Sequence, residues 1–96
     1  MRVSEFQELI KKTYFDRDSA RGLGGTFMWF TEEVGELATA LRENDREAMK
    51  GEFADVLAWL CTLASLAGIS MEEAVRKYAD GCPSCKKMPC NCSAKE

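Results

Sequence analysis

Ninety-six residues with a formal net charge of −3 describe one small domain with a modest interior, and no basic run marks a nucleic-acid footprint. Histidine is absent, which removes Ser-His and Cys-His nucleophile systems and the Glu-x-x-His motif of di-iron bundles. The charged N-terminus M-R-V-S-E-F-Q-E-L-I-K-K lacks a signal-peptide core, and the longest uncharged run, Val56 to Met71, falls short of a bilayer span, so a cytoplasmic protein without a membrane partner is expected.

The spacing predicts helices throughout and no strand. The first covers about Glu5 to Phe15, where Ser4 and Gln7 have the form of a capping box and Val3, Phe6, Leu9, Ile10 and Tyr14 share a face. Asp16 to Gly25 is polar, then glycine-rich, and predicts a loop. It delivers Arg17 and Arg21 near the next helix, to hold phosphate or, as is commoner for a loop cation, to face solvent. A second helix runs from Thr26, as N-cap, to Arg42, with Phe27, Phe30, Val34, Leu37, Ala38 and Leu41 as its apolar stripe.

After a turn near Asn44, a third helix spans about Arg46 to Ala67. Beyond Asp55 it is apolar almost all round, more than so small a domain can surround, which predicts a subunit interface. Gly68 is placed to close that helix, and Ser70 with Glu73 to open a short fourth that ends at Gly81. The fold class expected is all-α: a small bundle of about four helices over residues 1–81, completed by oligomerisation, then a Cys-rich tail over 82–96.

Two acidic pairs stand out, Glu33 with Glu36 and Glu52 with Asp55. Spacing of i,i+3 puts each pair on one helix face, and folding the chain back at Asn44 matches 33 with 55, 36 with 52 and 29 with 59. An antiparallel hairpin then gathers four carboxylates at one level and Trp29 with Trp59 at another. Any single acidic pair is usually a solvated face, but four converging carboxylates repel one another unless a cation lies between them. Oxygen ligands select hard ions, Mg²⁺ or Mn²⁺. The tryptophans read either as ordinary core aromatics or as the rim of that cleft.

The tail reads G-C-P-S-C-K-K-M-P-C-N-C. Cysteines in a cytoplasmic chain are more often thiols or metal ligands than disulfides. Cys82, Cys85, Cys90 and Cys92 suit a structural tetrahedral Zn²⁺ in a compact knob. The competing readings are loose thiols and a redox C-x-x-C, the latter without the β-α-β context that usually supports one. Cys61, inside the apolar run, is expected to be a buried thiol.

E-E-V-G-E-L followed by E-F-A-D-V resembles the MazG-like all-α nucleoside triphosphate pyrophosphohydrolases, whose signature E-E-x-x-E, spacer, E-x-x-D is filled by Glu32, Glu33, Glu36, Glu52 and Asp55. The resemblance covers about Phe27 to Ala79; the cysteine tail lies outside it. It implies a helical dimer or tetramer and Mg²⁺-dependent cleavage of a nucleotide between the α and β phosphates. Glu33, Glu36, Glu52 and Asp55 then look like metal ligands, Glu32 like an outer residue or the base for the water, and Lys77 like a phosphate-binding cation. In that setting Arg21 or Arg76 would assist Lys77, and Trp29 or Trp59 would stack the base. Phosphoribosyl-ATP is the alternative substrate within the superfamily, and a non-catalytic zinc-knob interaction module is the alternative outside it.

Overall fold

The computed structural model describes residues 1–93, so the last three positions of the tail expected over 82–96 lie outside the described residues. In chain order come α1 (Val3–Glu43), α2 (Arg46–Leu66), α3 (Met71–Val75) and a 3₁₀ turn (Arg76–Tyr78), with no strand among the described residues.

α1 contains both the first and the second helices expected from the sequence. The loop expected over residues 16–25 is instead helical on either side of a single break at Gly22, which takes φ 82° and ψ 173°. The left-handed region suits a residue without Cβ, so one glycine absorbs the whole change of direction. Side-chain bonds, one of them from α2, brace the polar stretch. Arg21 Nη1 donates to Asp18 Oδ1 (3.0 Å) and to Thr26 Oγ1 (3.1 Å), and Thr62 Oγ1 on α2 donates to Asp18 Oδ2 (3.2 Å). Asp18, Thr26 and Thr62 are all buried, so these bonds also satisfy groups that would be costly to bury alone. Thr26 is therefore not an N-cap but an acceptor inside the helix.

The start of α1 also differs from expectation. Ser4 lies within the helix, and Glu5 Oε1 accepts from the Arg2 N–H (2.7 Å) in place of the Ser4–Gln7 box. Gln7 reaches across the fold instead. Its Nε2 donates to Ser65 Oγ (3.0 Å) and to the Ile69 carbonyl (2.9 Å), while its Oε1 accepts from the Met71 N–H (2.9 Å). One amide thus pins the first turns of α1 to the α2–α3 corner.

Asn44 makes the hairpin turn in the left-handed region (φ 56°), and Asp45 caps α2 by accepting from the Ala48 N–H (3.1 Å). At the other end Gly68 (φ 75°) closes α2, and Ser70 Oγ accepts from the Glu73 N–H (3.2 Å) to open α3. α2 and the Met71–Tyr78 segment meet at 105°. The fourth helix is shorter than expected: five residues, then the 3₁₀ turn, then Gly81 at φ 97°.

The apolar faces are only partly covered within one chain. Ala40 and Cys61 are the only fully buried apolar residues among those described, while Phe27 and Phe53 are 54% and 55% exposed. Val34, Leu41, Leu57 and Leu60 are exposed as well. Among the described residues no single helix is long and apolar enough to cross a membrane.

Candidate active site

The hairpin register is the one the sequence implies. Trp29 on α1 and Trp59 on α2 stack with ring centroids 6.2 Å apart and planes 15° from parallel. One turn further toward Asn44, Glu33, Glu36 and Glu52 each bring a carboxylate oxygen within 4.8 Å of the others. Asp55 stands a turn from Glu52, outside that tight trio, but its charge acts on both Glu33 and Glu36.

Crowding has the expected electrostatic consequence. Glu33 is pushed from 4.5 up to about 7, first by burial and then by the charges of Glu36 and Asp55. Glu36 is also raised, chiefly by the charge of Glu52. Glu33 Oε1 and Glu52 Oε1 are buried without a hydrogen-bond partner. Two unpartnered carboxylate oxygens beside a third carboxylate form an all-oxygen set of the kind that could hold a divalent cation. Glu32, the fifth acidic position, is exposed on the same helix, and its charge adds to the rise at Glu36.

A cleft of about 260 Å³ reaches Asp55, one turn from Glu52, and is lined among others by Tyr14, Arg17, Arg21 and Trp59. Arg21 lies over the Trp59 ring, its guanidinium carbon 4.8 Å from the centroid, while bonded to Asp18. Arg21, Trp59 and Asp55, singled out from the sequence, thus come together in one cleft, and Trp29 borders it through Trp59. Lys77 does not join them within the chain. It lies in a separate groove with Tyr78 and the cysteine loop, its ammonium 5.3 Å from the Tyr78 centroid.

The four tail cysteines also converge. Cys82 and Cys92 sulfurs are 3.7 Å apart, those of Cys85 and Cys90 3.9 Å, and all four lie within 4.8 Å of one another. Backbone N–H groups of Cys85 and Ser84 draw the Cys82 thiol down to about 6, whereas neighbouring sulfurs, Cys90 first, push Cys92 up to about 12. Cys61 is the buried thiol expected, with burial raising it.

Sequence reasoning passed over Asp18, the buried carboxylate that seats Arg21. The signal was present: Asp18 and Arg21 are three apart, an ion-pair spacing that exists only if the stretch is helical.

The family model described as MazG nucleotide pyrophosphohydrolase domain matches residues 24–88, starting just beyond the Gly22 break and stopping between the two cysteine pairs. No curated protein matches the chain.

Proposed function

The chain belongs to the MazG nucleotide pyrophosphohydrolase domain family, and from that premise we propose that it cleaves a nucleoside triphosphate between the α and β phosphates, releasing a monophosphate and pyrophosphate. The supporting observation is the convergence of Glu33, Glu36 and Glu52 with two buried, unpartnered oxygens. These three, with Asp55, would hold Mg²⁺ or Mn²⁺. When bound, such an ion bridges phosphate oxygens, polarises the phosphoryl group and lowers the pKa of a coordinated water.

The protein's own groups supply the rest. A polyanionic substrate would meet Arg17 and Arg21 in the cleft that Asp55 also lines, where cations oppose the charge that develops on the phosphate oxygens. Asp18 and Thr26 fix Arg21 in place, so little ordering remains to be done on binding. Trp29, half exposed and backed by Trp59, offers a ring face to a nucleobase, a contact that tolerates different bases. Glu32 is the candidate to accept the proton of the attacking water.

The uncovered apolar faces of α1 and α2 support a homodimer or homotetramer, since a second copy would bury what one chain leaves open. In such an assembly Lys77 would serve phosphates held by a neighbouring copy's carboxylates, because within its own chain it occupies a different groove.

Pyrophosphate release from a panel of nucleoside triphosphates and phosphoribosyl-ATP, with and without Mg²⁺, tests the reading. Metal-dependent release from a triphosphate, lost in Glu36→Gln, is expected. Absence of turnover with every nucleotide would overturn it, and release from phosphoribosyl-ATP alone would reassign the substrate.

A further inference from the structure

No residue of the cysteine loop lies in the carboxylate trio or in the Arg21 cleft, yet that loop has a defined shape without an interior to impose it. Cys90 and Cys92 are exposed, as are Lys86, Lys87 and Met88 between the pairs. Ordering such a segment costs conformational entropy that apolar burial does not offset here. Some other interaction must hold it.

The sulfur positions indicate which. A regular tetrahedron of thiolates at ~2.3 Å from a central Zn²⁺ has S···S edges of about 3.8 Å. Cys82–Cys92 at 3.7 Å and Cys85–Cys90 at 3.9 Å match those edges, and the remaining pairs stay within 4.8 Å. A disulfide pair would stand at about 2.05 Å. Backbone donors already point at the sulfurs: the Asn91 N–H to Cys85 Sγ (3.2 Å) and the Cys92 N–H to Cys90 Sγ (3.3 Å). Such donors favour thiolate over thiol, and a cation at the centre of the four sulfurs would offset the repulsion among thiolates.

The backbone around the cluster is shaped to the same end. The Lys86 N–H donates to the Cys82 carbonyl (2.7 Å) and the Cys82 N–H to the Lys87 carbonyl (3.0 Å), which folds the second cysteine pair back over the first. Lys86 accepts the left-handed region (φ 62°) to make that turn. Gly81 lies so close beneath it that a Cβ there would meet the Lys87 oxygen at 2.7 Å. Lys86 and Lys87 bring positive charge to a centre whose four thiolates outweigh a divalent ion by two.

We propose that Cys82, Cys85, Cys90 and Cys92 bind one Zn²⁺ as a closed tetrathiolate site that folds the C-terminal loop onto Gly81. With all four positions taken by protein there is no place for water or substrate, so the metal is structural. The family match ends before Cys90, so the second half of this site lies beyond the matched residues.

The test uses the full chain, purified reduced and without chelator, and neither readout depends on turnover. One zinc per chain is expected. Replacing it with Co²⁺ should give the intense near-ultraviolet thiolate charge-transfer band and the visible bands of a tetrahedral site. That spectrum should persist in a Glu33→Gln/Glu36→Gln double variant, which disables the carboxylate centre, and vanish in Cys85→Ser/Cys90→Ser. A cobalt spectrum without the thiolate band overturns the site, as do four thiols that react with a thiol reagent equally fast with and without added zinc. A coloured, iron-loaded protein as isolated overturns the choice of metal.

Discussion

Glu33, Glu36 and Glu52 stand on the two longest helices, whereas Cys82, Cys85, Cys90 and Cys92 stand on a loop with no helix of its own. Both groups gather ionisable side chains within 4.8 Å of one another, and a cation is proposed at each. They differ in what holds them together without one. Helix backbone bonds and the Asn44 turn fix the carboxylates whether or not an ion is present, so their repulsion is stored in the fold. The cysteine loop has a few backbone bonds and almost no burial, so its geometry depends on what its sulfurs bind. A rigid frame suits a site that must exchange ions and substrate; a loop suits a site that binds once.

The largest effect that would break this contrast is on turnover. Glu36→Gln should lower pyrophosphate release at least roughly 100-fold, the upper end of what changes around metal ligands cost. The metal-free melting temperature should stay the same or rise, because a repulsive charge has gone. A clear drop in melting would mean that the carboxylates hold the hairpin together rather than strain it.

Next in size is Gly81→Ala. A methyl group 2.7 Å from the Lys87 oxygen, at a backbone φ of 97°, should cost about 1–2 kcal/mol of loop geometry, or roughly 10-fold in zinc affinity. Turnover at the carboxylates should hardly move. Equal loss of both would show that the two regions are one mechanical unit.

A smaller effect concerns pH. Glu33 keeps its proton to about pH 7 in the fold but to 4.5 in its ordinary state. Between those values the folded chain binds more protons than the unfolded one, so metal-free stability falls as pH rises through that window. Above it a divalent ion takes the proton's place, so the melting gain on adding Mg²⁺ should grow from pH 5 to pH 8. A gain independent of pH would detach Glu33 from the metal. Smallest is the exposed Lys50–Glu47 pair at 3.5 Å, where Glu47→Gln should change stability by no more than about 0.5 kcal/mol by thermal melting.

The hairpin was legible because its signals are local: a polar turn at Asn44, Gly68 as a terminator, Ser70 as the cap that follows, and acidic residues at helical spacing. The same spacing carried over to the site, bringing Glu33, Glu36, Glu52, Trp29 and Trp59 into register. What stayed hidden was tertiary. Residues 16–25 carry glycine and polar side chains that locally favour a loop, and the bond that ties this stretch to the rest of the fold, from Thr62 to Asp18, spans 44 residues. Gln7 gives no sign in sequence of its bonds to Ser65, Ile69 and Met71, more than fifty residues away. Lys77 follows the family pattern, but its place beside Tyr78 depends on the bend after α2, which spacing does not reveal.

That Ala40 and Cys61 are the only apolar residues, among those described, enclosed by their own chain has a consequence for how durability should be measured. When partners supply the missing interior, persistence of the native form becomes a property of the population rather than of each molecule, and it declines with dilution. Newly made chains would stay vulnerable to proteases until they meet one another, so the rate of synthesis would help decide how much enzyme survives.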